Sequence, residues 1–148
     1  EKVINIYRSH KPSIHLYYVV IEMLNELRAR GIKVGIITDG RPLGQHNKFE
    51  ALGLGRFIDD FIITDELGGT QFRKPCDIAF RIMSAKWKLP FEQIVYVGDN
   101  PIKDFQAPKQ LGMKALFFKN ADGIYSYEAD VSIPVIESIT SVSKRIKN

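Results

Sequence analysis

Apolar positions along the chain follow two alternating rhythms. From Val19 to Arg30, the residues Val20, Met23, Leu24 and Leu27 recur at helical spacing, and Gly31 stands where a helix stops. The stretch IKVGIIT (32–38) that follows is mostly apolar and β-branched, the composition of a strand covered on both faces. The pattern then repeats. A helix is predicted around Gly44 to Leu52, closed by Gly53, and a strand around FIIT (61–64). After Pro75 a helix carrying Ile78, Ile82 and Met83 leads to IVYV (94–97), and a helix near Lys103 to Leu111 ends at Gly112 before KALFF (114–118). From Pro134 onward, Ile136, Ile139, Val142 and Ile146 suit an amphipathic closing helix. Helix and strand alternating at this interval predict an α/β fold with a mostly parallel sheet and helices on both faces.

Composition narrows the setting. The length of 148 residues with 45% hydrophobic suits a compact domain with a real core. The 21 Lys and Arg exceed the 17 Asp and Glu only modestly, and apart from SKRIKN (143–148) they are spread out, so a solvated surface is expected and no nucleic-acid partner. The longest apolar runs are of strand length, so no membrane span and no secretory signal are read, and a cytoplasmic location is expected. Cys76 is the single cysteine, which excludes an internal disulfide and a cysteine-cluster metal site and fits a reducing compartment.

In parallel sheets ligands gather at the carboxyl ends of the strands, where loops meet helix amino termini. After VGIIT, Thr38 closes a strand and Gly40 lets the backbone turn, so Thr38, Asp39 and Gly40 form a candidate phosphate cradle of hydroxyl and amides. The structural alternative is a plain cap or turn. The loop TDELGGTQFRKP ends in Lys74 immediately before Pro75, a proline suited to the first position of a helix, and the lysine is either a cation at the sheet mouth or an ordinary surface residue. VYVGDNPIKDF (95–105) places Asp99 and Asp104 after a strand across a Gly-Asn-Pro turn. Two carboxylates held close repel unless a cation lies between them, and oxygen ligands of this kind suit Mg²⁺. As an alternative, Asp99 caps the following helix and Asp104 favours its positive end.

Threonine, then lysine, then paired aspartates, each after a strand of one inferred sheet, form a specific joint pattern. It resembles the haloacid dehalogenase (HAD) superfamily, whose second to fourth motifs correspond to IITDG, RKP and GDNPIKD, over a span from about YRSHKP (7–12) to LGMKALFF (111–118) and beyond. The resemblance implies a three-layer Rossmann-like core and a Mg²⁺-dependent phosphatase that passes a phosphoryl group to an aspartate and hydrolyses the acyl-phosphate. By matching position, Thr38 and the amides of Asp39 and Gly40 would hold the phosphate, and Lys74 would neutralise the phosphate and the nucleophile. Asp99 would bind the metal directly and Asp104 would assist it or orient its waters. The expected partner is a small phosphorylated metabolite.

One motif is not found. The family's first motif, an apolar strand ending in D-x-D-x-T/V, supplies the nucleophile. FIITDELGGT (61–70) lacks the second aspartate, and the adjacent carboxylates of FIDDF (57–61) would point to opposite faces of a strand. Residues 1–18 therefore read as the remnant of a cap-to-core connection and 19–148 as a partial core lacking its usual nucleophile-bearing central strand. Two parallel edges left unpaired there would carry exposed amides and apolar faces. A missing N-terminal segment of the same parent protein is the preferred filler. A second chain, KVINIY (2–7), or direct pairing of the flanking strands would also serve.

Other residues carry less. Cys76 reads as an inert thiol, and His10, His15 and His46 lack metal spacing, His46 being a surface residue near the phosphate mouth. Trp87, Phe117 and Phe118 read as core, Arg41 as surface, and GDNPIK lacks the G-x-G-x-x-G spacing of a dinucleotide loop. Three functions compete: a phosphohydrolase, a catalytically inactive phospholigand-binding or docking module, and a receiver-like domain, the last weakened because receivers carry their acidic pair early.

Overall fold

A computed structural model describes residues 10–125 and 132–146. KVINIY, part of the 7–20 stretch and the last two residues lie outside the described residues. The chain divides into two compact units, Glu1–Arg73 and Lys74–Asn148.

In the first unit, helix α1 (Tyr18–Ala29) buries Met23, Leu24 and Leu27 on one stripe. It stops as the sequence predicts: the amide of Ile32 returns to the Leu27 carbonyl and that of Gly31 to Arg28, a paired closure made at a left-handed Gly31 (φ +70°). Strand β1 spans Gly35–Thr38, three residues shorter at its start than the apolar run 32–38. Backbone groups upstream are already committed. Ile32 closes the helix, and Val34 both donates to the Asp59 carboxylate at 2.8 Å and accepts from the Asp59 amide at 2.8 Å. The ladder to β2 (Asp60–Ile63) then runs parallel from Gly35↔Asp60 to Thr38↔Ile63. Between them lies α2 (Pro42–Ala51), which begins with proline at its first turn, ahead of the predicted Gly44.

The second unit holds α3 (Ile78–Trp87), β3 (Val95–Gly98), α4 (Gln106–Leu111), β4 (Lys114–Phe118), β5 (Val135–Ile136) and α5 (Ser141–Arg145). Its strands are all parallel, in the order β3-β4-β5. Helix α3 begins three residues after Pro75, which correspondingly is not its first residue; Asp77 precedes it and pairs with Arg81 one turn on at 2.8 Å. Its inward face is Ala79, Phe80 and Met83, while Ile78 and Ile82 stay exposed. Phe117 is core, whereas Phe118 and Trp87 are half-buried.

The closing segment departs most from its periodicity. Instead of one helix from Pro134, Val135 and Ile136 add a strand beside β4, with the Phe117 amide bonded to the Pro134 carbonyl and the Lys119 amide to Ile136. Pairing with the edge of β4 satisfies backbone groups that a helix started there would leave β4 without. Only Ser141–Arg145 turns helical, burying Val142.

Among the described residues β1 pairs with β2 alone and β3 with β4 alone. Neither strand therefore has a paired neighbour on its other side within its own sheet.

The core of the second unit centres on Phe105, Phe117 and Ile133, with the Phe105 and Phe117 rings edge-to-face at 5.8 Å. Phe117 is 1% exposed. Phe117→Ala is expected to destabilise this unit by about 3–5 kcal/mol in urea unfolding. A loss under about 1 kcal/mol would show that the ring is not enclosed as described.

Candidate active site

The predicted site residues fall into two groups. Thr38, Asp39 and Gly40 lie in the first unit, and Lys74, Asp99 and Asp104 in the second.

Thr38 is the last residue of β1, and the turn after it is braced from two directions. Gln45, in the first turns of α2, accepts from the Thr38 hydroxyl at 3.2 Å and donates to the Asp39 carbonyl at 3.2 Å. Gly40 has φ +130°, a backbone angle that favours glycine, and a Cβ there would stand 2.8 Å from the Gln45 amide nitrogen and displace that side-chain tip. The fully buried Thr64, just beyond β2, donates its hydroxyl to Asp39 Oδ1 at 3.0 Å. Its neighbour Asp65 is held chiefly by Arg73.

Asp65 is also the anchor of the loop that follows β2. Arg73 donates to both of its oxygens at 2.7 Å, a fork-to-fork pairing. The Arg73 hydrogen bond is the main reason the Asp65 carboxyl lies below the usual carboxylate range; burial opposes it, and the Arg73 charge and the Gly40 amide add to it. Arg73 is correspondingly pushed up, chiefly by the same bond. His46 sits on the surface of this unit with Nε2 2.7 Å from Glu66 and its ring edge-on to Phe61. Arg41 is exposed.

In the second unit Lys74 and Asp104 meet. Lys74 Nζ lies 2.8 Å from Asp104 Oδ1, and the two side chains are 9% and 3% exposed, so the pair is desolvated. Tyr96 joins them: its hydroxyl accepts from Lys74 at 3.1 Å and donates to Asp104 Oδ1 at 3.3 Å. The other oxygen, Oδ2, accepts the amides of Asp99 at 3.2 Å and Asn100 at 3.0 Å. A carboxylate offers about four lone-pair positions, and here four donors meet them.

This geometry explains why α4 begins only at Gln106. The backbone from Asp99 wraps around the Asp104 carboxylate, with the Asp104 amide bonded to the Asn100 carbonyl and the Ile102 amide to Asn100 Oδ1. Asp104 thus lies in a turn ahead of the helix. The alternative in which Asp99 caps a helix starting near Lys103 is not realised, because the residue before α4 is Phe105 and no side chain caps it. Gly98 is where the approach is tightest: a Cβ there would stand 2.6 Å from Asp104 Oδ2.

Among the described residues no group of three or more His, Cys, Asp or Glu side chains is arranged to hold a metal ion. Mg²⁺ asks for less, one or two carboxylates with waters and phosphate oxygens completing its shell. Asp99 fits that demand, since it is exposed on a loop whose backbone Asp104 fixes. Asp104, buried and committed to four donors, fits as a brace rather than a direct ligand.

Sequence reasoning missed Tyr96, Gln45, Thr64 and the Asp65–Arg73 pair. Tyr96 had a signal: in an extended strand it shares a face with Gly98, two residues on.

Two outcomes are expected. Asp104→Ala removes the anionic partner of a buried ammonium and should destabilise the second unit by about 3–5 kcal/mol, read by denaturant titration. Because the folded Asp65 carboxyl is depressed from its ordinary value of 3.8, its stabilisation is complete above that value and lost as pH falls through the folded one. Stability of the unmodified chain should therefore decline more steeply below about pH 4 than that of Asp65→Asn, and parallel curves would exclude the assignment.

Residues 1–118 match the family model described as haloacid dehalogenase-like hydrolase. The chain is 34% identical over 137 residues to a glyceraldehyde 3-phosphate phosphatase of Methanocaldococcus jannaschii, covering 88% of this chain and 58% of that one. It is 30% identical to a phosphoserine phosphatase of Thermus thermophilus, covering 69% of this chain and 40% of the relative, so it spans roughly half the length of these curated relatives. The crystal structure of a HAD phosphatase from Thermococcus onnurineus superposes with a TM-score of 0.72 at 26% identity, covering 87% of this chain and 57% of that one. No helix among the described residues is long and apolar enough to cross a membrane. With the parallel sheets, the strand-end residues and the family match in agreement, the chain belongs to the haloacid dehalogenase-like hydrolases.

Proposed function

We propose that this chain carries the second, third and fourth motifs of a Mg²⁺-dependent phosphohydrolase acting on a small phosphorylated metabolite in the cytoplasm. The observation that supports it most directly is the desolvated Lys74–Asp104 pair beneath the loop of Asp99. Burying an ion pair is a poor way to gain stability, so a fully satisfied one at a strand end argues for a task.

In this reading Thr38 and the turn through Asp39 and Gly40 receive the phosphate. Thr38's hydroxyl turns from Gln45 to a phosphate oxygen, and Gly40 contributes the turn. Lys74 supplies positive charge toward the phosphate and the nucleophile. Asp99 holds the metal, and Asp104 acts through the Asp99 and Asn100 amides and through Lys74. Mg²⁺, when bound, neutralises charge on the phosphoryl oxygens; positioning and charge stabilisation carry most of such a reaction. The nucleophilic aspartate comes from a segment outside this chain, either an N-terminal part of the same parent protein or another chain, which also completes the sheet. Residues 1–18 are the return from a cap, and 19–148 the partial core.

The test is hydrolysis of p-nitrophenyl phosphate with Mg²⁺ by the 148-residue chain and by a longer chain in which a D-x-D strand is restored. The short chain should show slow or no turnover and the longer one metal-dependent activity. In the longer chain Lys74→Ala should lower kcat/KM by about 10²–10³, the scale of removing one charge-stabilising group. Robust activity in the short chain overturns the assignment of the nucleophile. Phosphate binding without turnover in both marks an inactive phospholigand-binding module instead.

A further inference from the structure

Tyr96 stands between two environments. Its ring belongs to the core: it lies edge-on to Phe80 at 5.0 Å and to Phe105 at 6.4 Å, and it packs against the Phe105–Phe117–Ile133 cluster. Its hydroxyl reaches the charged pair. Lys74 Nζ donates to it at 3.1 Å and lies 5.8 Å from the ring centroid, while the hydroxyl donates to Asp104 Oδ1 at 3.3 Å. Ammonium, phenol and carboxylate thus close a triangle in which the phenol takes one bond and gives one.

We propose that Tyr96 is a positioning residue that aims the Lys74 ammonium and holds the Asp104 carboxylate, transmitting the rigidity of the aromatic core to the strand-end site. A lysine is a point charge on four flexible carbons, and one carboxylate contact leaves its direction loosely set. A second acceptor, itself anchored edge-on by two rings, sets it. The same hydroxyl braces Asp104 Oδ1 while Oδ2 gathers the amides of Asp99 and Asn100. The mechanical path therefore runs from the core through Tyr96 and Asp104 to the backbone that carries Asp99. Phenylalanine would pack the ring equally well and supply neither bond. The importance of this aiming rests on the proposed phosphohydrolase reading, whereas the aiming itself does not.

The test compares the chain with Tyr96→Phe by three measurements. Reductive methylation of Lys74, followed by peptide mass against the exposed Lys109, should accelerate about 3- to 10-fold, the change expected on losing one ordinary hydrogen bond. Affinity for Mg²⁺ alone, by calorimetry, should weaken, and the thermal midpoint should move by no more than a few degrees, the scale of losing about 1 kcal/mol with one hydrogen bond. Incorporating 3-fluorotyrosine at position 96, which restores a hydroxyl, should return the Lys74 rate to its original value. Unchanged labelling of Lys74 overturns the proposal, as does acceleration at Lys109 to the same extent, which would be general loosening. If Lys74 labelling rises but the longer chain with the restored strand shows no Mg²⁺-dependent hydrolysis, the positioning role stands and the phosphohydrolase reading falls.

Discussion

A buried ammonium must be answered by a buried anion, and in the second unit that demand organises everything around it. Lys74 and Asp104 are both withdrawn from water, so each lone pair and each proton of the pair needs a protein partner. The partners then dictate local structure. Gly98 has to lack a side chain for Asp104 to approach the strand, the Asp99–Asn100 backbone has to turn its amides inward, and α4 has to wait until Gln106. None of these features follows from helix or strand propensity. They follow from satisfying one carboxylate.

The first unit solves a related problem with a different charge pair. Asp65 and Arg73 close the loop after β2. Thr64 and Gln45 add bonds to Asp39 and Thr38. The turn at Thr38 is thus shaped before any ligand arrives.

The alternation of helix and strand was legible because burial on two faces leaves a composition trace, and the strand-end candidates could be named because so few residue types carry phosphate and metal chemistry. Thr38, Lys74, Asp99 and Asp104 stand out for that reason. What remained hidden is what depends on tertiary partners. The start of β1 moved because Asp59 competes for Val34, and the closing helix became a strand because β4 offered an edge. Tyr96 was read only as part of an apolar strand, since a phenol in a core looks like any aromatic until its two partners, 22 residues earlier and 8 later, are brought to it. Arg73 and Asp65 likewise look like solvated charges across a Gly-Gly loop until the chain folds back.

The division of labour between the two aspartates then has a physical cause. Both sit on one loop and either carboxylate is chemically able to ligate Mg²⁺, yet they differ in what already occupies them. Asp104 is buried with four donors, so turning it toward a cation would strip Lys74 of its counter-charge and leave two backbone amides without an acceptor. Asp99 is exposed, and only its amide is committed to that network. In the proposed reading the less encumbered carboxylate, Asp99, is the one that exchanges water for a metal. The more encumbered one gives that loop a fixed shape, and the proposed chemistry requires both.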